Sequence, residues 1–237
     1  MNGSVNSIET LGTLDGPGLR TIVFLNGCAL RCKFCHNPEM FKLGKLNTTP
    51  QELLRKIKRY KPYYKRNNGG VTFSGGDPLM QTAFLIEVCR LLKREQIHVA
   101  LDTSGVGFGD YNTLLNYVDL IIFDVKSTNS NDFFGLTGGN IQKVLDFLAI
   151  ANSKNKKFWV RQVIIPNYND NKEYLCSLKQ FINKYVQNVE KIELLPFHNM
   201  AKEKYEKLGI SYSFKDLESM DKKKVDQLYA EIFGRQG

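Results

Sequence analysis

Short apolar runs rich in β-branched and aromatic residues recur along the chain and alternate with stretches of helical period. Six of them predict buried strands, at 21–25, 71–73, 99–101, 120–125, 158–165 and 189–195. Between them, Thr49-Pro50-Gln51-Glu52 opens a helix with a capping-box pattern and a proline at the first helical position. A second helix is predicted at about 81–95, after Pro78, with Phe84, Leu85, Val88, Leu91 and Leu92 on one face. Others are predicted at 141–152, 172–185 and 221–233. Repeated strand–helix alternation implies parallel strands joined by right-handed crossovers.

Six such units are too few for an eight-fold barrel, so a partial barrel competes with a doubly wound sheet. The placement of polar residues favours the barrel. Cys28 follows the first strand, Ser74-Gly75-Gly76-Asp77 the second and Asp102-Thr103-Ser104-Gly105 the third. Asp124 and Lys126 end the fourth, Arg161 lies within the fifth and His198 follows the sixth. Ligands of parallel α/β folds bind at the carboxyl ends of the strands, where loops and helix N-termini converge. Polar groups at all six ends imply one ring around one site. The expected fold is an α/β partial (β/α)6 barrel with outer helices. No linker or compositional shift divides it, so residues 1–237 are expected to form a single domain.

Composition adds exclusions. With 42% hydrophobic and 24% charged residues among 237, the chain is ordinary for a globular protein and unlike a disordered or fibrous one. It has no uninterrupted apolar run long enough to span a membrane. The N-terminus lacks the basic and apolar blocks of a secretory signal, so a cytoplasmic location is expected. The net charge of +9 is spread over helix-like stretches such as 52–59, with no basic tail or Arg-rich arm. A solvated lysine-rich surface explains it, and neither nucleic acid nor membrane is an expected partner.

The five cysteines carry more information. Cys89 and Cys176 stand alone in helical patterns and are expected to be small core residues. Cys28, Cys32 and Cys35 follow the spacing C-x3-C-x2-C, which is no disulfide framework. Three thiolates on a short loop can hold three irons of a cubane cluster and leave the fourth iron open. A zinc site completed by His36 is the competing reading, weakened because adjacent Cys35 and His36 turn poorly toward one tetrahedral centre.

The spacing, the aromatic Phe34 before the last cysteine and the following His36-Asn37 resemble the radical S-adenosylmethionine (SAM) enzymes. The segment Gly12-Thr13-Leu14-Asp15-Gly16-Pro17-Gly18-Leu19-Arg20 resembles, more narrowly, the approach signature of the activating enzymes of glycyl radical enzymes. The likeness continues through Ser74-Gly75-Gly76, Leu101-Asp102-Thr103, Asp124-Val125-Lys126 and 191–198, and so covers nearly the whole chain. It implies that Cys28, Cys32 and Cys35 hold a 4Fe-4S cluster whose open iron is chelated by the SAM amine and carboxylate. By the same resemblance, Phe34, Gly75, Gly76, Asp77, Asp102, Thr103, Asp124, Lys126, Arg161 and His198 bind or surround SAM. Gly75 and Gly76 would present carbonyls to its amine, and Asp102, Thr103 and Asp124 would hold a monovalent cation beside its carboxylate. Lys126 would meet the carboxylate, and His198 the ribose region.

The implied chemistry is reductive cleavage of SAM to a 5′-deoxyadenosyl radical, which removes a hydrogen from a glycine of a partner enzyme. Pyruvate formate-lyase is the expected partner, and flavodoxin or ferredoxin the expected electron donor. Two features refine the resemblance. The family usually has Glu where Asp77 stands, one methylene longer, so a direct carboxylate contact is expected to lengthen or to pass through water. No cysteine lies between Cys35 and Ser74, where other activators carry a cysteine-rich insert. Two other functions remain open at this level: a radical SAM enzyme acting on a small molecule, as the deazaguanine-forming relatives do, and a non-enzymatic zinc module. His98 and Trp159 are expected to be structural, and Tyr60, Tyr63 and Tyr64 to be amphipathic residues at an exposed helix end.

Overall fold

The apolar runs become six parallel strands, preceded by one antiparallel strand, in a computed structural model that describes residues 1–234. The last three positions of the expected 1–237 span lie outside the described residues. In chain order the strands are β1 (Val5–Gly12), β2 (Arg20–Leu25), β3 (Gly70–Gly75), β4 (His98–Thr103), β5 (Leu120–Val125), β6 (Lys157–Ile164) and β7 (Val189–Pro196). They form one open sheet in sequential order. β1 pairs with β2 antiparallel, and every later pair is parallel. β1 is the one strand that the apolar pattern did not predict.

The larger helices match the expected periods. They are α1 (Pro50–Lys58), α3 (Thr82–Arg94), α6 (Ile141–Ser153), α7 (Lys172–Tyr185) and α9 (Lys222–Phe233). Thr49 and Glu52 close a reciprocal capping box on α1, with Pro50 at the first helical position. Four shorter helices join them: α2 (Lys61–Arg66), α4 (Tyr111–Leu115), α5 (Ser130–Thr137) and α8 (Lys202–Leu208). Among the described residues, no helix is long and apolar enough to cross a membrane.

The strands divide the molecule into two environments. Val23, Val71, Phe73, Val99, Leu101, Ile121, Phe123, Phe158 and Val160 share one buried cluster with Leu53 and Ile57 of α1 and with Phe84, Leu85, Val88 and Cys89 of α3. That cluster extends from Val5 to Leu228. The alternate residues form the inner face, where the register sets Asp124 beside Arg161 and Arg161 beside Glu193. The lower part of this face is plugged by Ala100, Leu120 and Ile122 with Trp159 packed on them, and Lys191 lies 4.7 Å above the indole.

Two expectations are corrected here. Cys176 is exposed, because it falls one residue outside the stripe of Leu175, Leu178, Phe181 and Ile182 that α7 buries. Tyr64 is a core residue whose hydroxyl bonds that of Thr21, whereas Tyr63 is exposed.

Candidate active site

The loop after β2 carries Cys28, Cys32, Phe34 and Cys35, and all four line a chamber at the carboxyl ends of the strands. The backbone of the loop is anchored on both flanks. Gly27 N–H donates to Met40 O at 2.8 Å, while Arg31 N–H reaches Thr137 O at 2.8 Å and Lys33 N–H reaches Leu136 O at 2.9 Å. A third tie comes from α8, where Lys204 Nζ donates to His36 O at 2.9 Å and to Asn37 Oδ1 at 3.0 Å, and pairs with Glu39 at 2.8 Å.

The donor set fits an iron–sulfur group. Leu30 N–H points to Cys28 Sγ and Asn37 N–H to Cys35 Sγ, each at 3.4 Å, which is the bonding a thiolate accepts. Burial pushes the Cys28 thiol up to about 11 and the Cys32 thiol up to about 12, and raises Cys35 as well. Lys126 opposes all three shifts, but only a bound metal would deprotonate these thiols outright. Among the described residues, no three His, Cys, Asp or Glu side chains are placed to hold a single metal ion. A cubane asks for something else, because each thiolate binds a different iron.

Gly75, Gly76 and Asp77 line the facing wall with Asp102, Thr103, Asp124 and Lys126. Gly75 has φ +119°, and a Cβ there would come within 2.2 Å of Leu25 O; one on Gly76 would come within 2.3 Å of Gly27 O. The visible reason for these glycines is thus the approach of the β3 end to the cysteine loop. Asp77 is 2% exposed and its carboxylate is saturated. Oδ1 accepts from Leu79 N–H at 3.0 Å and from the Thr103 hydroxyl at 2.8 Å; Oδ2 accepts from Ser104 N–H at 3.0 Å and from the Ser104 hydroxyl at 2.6 Å. It therefore ties the loop after β3 to the loop after β4, a role that the sequence comparison with Glu did not reveal.

Asp102 and Asp124 project from the inner face of neighbouring strands. Asp102 accepts from the Ser74 hydroxyl at 2.8 Å, and Asp124 pairs with Lys126 Nζ at 2.9 Å. Burial, then the nearby Asp124, pushes the Asp102 carboxyl up to about 7, with Arg161 opposing the shift. Burial alone would lower Lys126, but Asp124 and Cys32 hold it firmly protonated, with its ammonium 5.4 Å from the Phe34 ring. The chamber thus presents three carboxyl groups, of which Asp77 is saturated by protein donors, with one ammonium and three thiols around one space.

Arg161 and His198 sit outside this lining. Arg161 lies beneath it, 3.9 Å from Asp102, with Nε donating to Glu193 at 3.1 Å. Its NH2 group donates to Leu14 O at 2.5 Å, and NH1 lies 3.4 Å from Asp15. His198 stacks on His36 at 4.0 Å between centroids, and its carbonyl meets His36 Nε2 at 2.8 Å. The sequence reading assigned no role to Glu193, Asp15 or Lys204, whose contacts join distant segments. Nor did it foresee Arg20, which is fully buried. Its guanidinium donates to Thr72 at 2.7 Å, Val71 O at 2.7 Å, Pro17 O at 2.9 Å and His98 Nδ1 at 3.2 Å, so it fixes the turn that carries Asp15.

Residues 22–178 match the model of the radical SAM superfamily. In fold, the chain is similar to a radical SAM methyltransferase from Sphaerobacter thermophilus, with TM-score 0.65 at 14% identity over 98% of this chain and 74% of that one. It is also similar to a domain of a pyruvate-formate lyase-activating enzyme from Bacteroides vulgatus, with TM-score 0.55 at 20% identity over 70% of this chain and 93% of that one. In sequence, it is 44% identical to the pyruvate formate-lyase-activating enzyme of Clostridium pasteurianum over 95% of both chains. It is 39% identical to that of Staphylococcus aureus strain USA300, over 97% of this chain and 94% of the other. Identity at that level, sustained over almost the full length of both relatives, goes well past a shared barrel: the chain belongs to the radical SAM superfamily and, within it, to the family of pyruvate formate-lyase-activating enzymes.

Proposed function

We propose that the protein is an activating enzyme that installs a glycyl radical on a partner enzyme, pyruvate formate-lyase. The observation that carries this reading is the placement of Cys28, Cys32 and Cys35 on one wall of a chamber at the ends of the parallel strands. A 4Fe-4S cluster on these thiolates would supply one electron to SAM, whose cleavage provides a radical able to take a hydrogen from glycine.

The chain's own residues orient and shield. Lys126 offers a fixed positive charge to the SAM carboxylate and is held in place by Asp124. Phe34 and the cysteine loop close one side against water. Gly75 and Gly76 bring the opposite wall up to that loop, and Asp77 holds the wall rigid through Ser104 and Leu79. A monovalent cation beside Asp102, Thr103 and Asp124 is part of the reading; the two carboxyl groups of Asp102 and Asp124, which line the same chamber from neighbouring strands, support it. The electron donor is a flavodoxin or ferredoxin. The setting is the cytoplasm, and one radical SAM domain carries the activity.

The test is anaerobic reconstitution followed by electron paramagnetic resonance. Reduced protein is expected to show a 4Fe-4S signal that changes with SAM, and then to generate a glycyl doublet on pyruvate formate-lyase. Protein that takes up zinc without iron or sulfide would refute the reading.

A further inference from the structure

An electron has to reach the cysteine loop while the chamber holds SAM and the substrate glycine. A donor protein therefore needs another face of the same loop, and the structure has one. Cys28 lines the chamber and also, with Ala29, Leu30 and Arg31, one wall of a separate outer groove of about 750 Å³. The opposite wall is the C-terminal turn of α5 and the start of α6. This turn is held against the loop by the bonds from Arg31 and Lys33 to Thr137 and Leu136. Gly139 lets it come close, because a Cβ there would lie 2.4 Å from the Leu30 side chain.

The groove has the makeup of an interface. Phe108 is 57% exposed and Phe134 66% exposed, and both line it. Its charged lining consists of Arg31 and Lys143, with no carboxylate among the described residues. Both cations are steadied over aromatic rings, Arg31 at 4.7 Å from Phe41 and Lys143 at 5.2 Å from Phe108. Exposed aromatic surface with a cationic rim marks a protein-binding site rather than scattered surface residues.

We propose that this groove is the docking site of the electron donor, a small acidic protein that presents the edge of a reduced flavin. The two exposed phenylalanine rings match a flat apolar ring edge, and Arg31 and Lys143 match carboxylates around it. The net charge of +9 steers the encounter. The inference rests on the functional reading above. The anionic reduced flavin gives up one electron, becomes neutral and keeps its ring proton; the cluster gains that electron, and no atom is transferred.

The competing surface is more basic. Arg55, Lys56, Arg59, Lys65 and Arg66 are exposed on and between α1 and α2. That surface carries no cluster ligand, so it serves as the control. Reconstituted protein is compared as parent, as Phe134→Ser/Lys143→Glu and as Lys56→Glu/Arg59→Glu. Two quantities are measured with reduced flavodoxin: the Kd by calorimetry and the rate of cluster reduction by stopped flow. The groove variant is expected to lose about tenfold in both, and the control less than about twofold. Dithionite, which needs no docking, is expected to reduce all three proteins equally. Lys143→Gln alone, a milder change on an exposed helix face, is expected to weaken binding in the same direction. Parent-like binding by the groove variants, or an equal loss in the control, would overturn the proposal. A parent protein in which dithionite reduces no cluster would instead sink the functional reading on which it rests.

Discussion

Asp77, buried, and Asp102, half-buried, are carboxyl groups on the same chamber wall, yet their surroundings differ in kind. Asp77 receives four hydrogen bonds from Leu79, Thr103 and Ser104, enough to occupy both oxygens. Asp102 receives one from Ser74, faces Asp124 on the next strand and has Arg161 only at 3.9 Å. A saturated buried carboxylate works for the fold, because its bonding is complete without any ligand. An under-satisfied one is costly to the fold and is kept where a ligand completes it.

The strongest way to break this contrast is Asp77→Ala. It strands two backbone N–H groups and two hydroxyls and should lower the unfolding free energy by about 3 kcal/mol in urea denaturation. Asp102→Asn should leave stability within about 1 kcal/mol of the parent at low pH, where the Asp102 carboxyl is protonated in the folded and unfolded states alike, and should weaken SAM binding, measured by calorimetry on reconstituted protein. The pH dependence sharpens the same point. Asp102 is raised from 3.8 to about 7 in the folded state, so the folded protein binds the extra proton between those values. Its contribution to stability is therefore lost as pH rises through that window. The difference between Asp102→Asn and the parent should move in favour of the variant across it, and a flat difference would contradict the assignment.

Smaller effects probe the cap over the cysteine loop. Lys204→Ala removes an exposed clamp and should cost about 1 kcal/mol, with faster hydrogen exchange at residues 36–41. Tyr212 is a buried residue whose hydroxyl has no partner among the described residues, beneath a stack with Tyr205 at 4.4 Å. Tyr212→Phe should therefore raise the urea midpoint slightly, by the equivalent of about 1 kcal/mol or less.

The parallel strands β2 to β5 were legible because each centres on a short apolar run buried on the helix side, whereas β6 is interrupted by Arg161 and Gln162, and β7, expected to be buried, alternates charged with apolar residues and buries none of them. β1 was not legible: only Val5 is buried in it, and Val5, Ile8 and Leu11 break the two-residue period where the pairing register shifts. The helices α2, α4, α5 and α8 have five to eight residues, too few turns to declare a period. In the site, cysteine spacing and strand-end position were readable from local sequence. The clamp of Lys204 on Asn37, 167 residues away, and that of Arg161 on Leu14, 147 residues away, exist only through tertiary structure. Asp77 shows a subtler limit, since its place in the motif was legible but the direction of its carboxylate was not.

Among the described residues, β1 and β7 are not hydrogen-bonded neighbours, so the barrel has a seam. Across it, the guanidinium of Arg161 reaches Leu14 and Asp15 on one side while holding Glu193 on the other. The two ends of the sheet are thus joined by side chains, by Arg161 at the seam and by His36 and Lys204 over the cysteine loop, and not by a backbone ladder. The seam's compliance resides in a handful of polar contacts that water can replace, so the mouth can widen without unzipping a single rung of the backbone ladder.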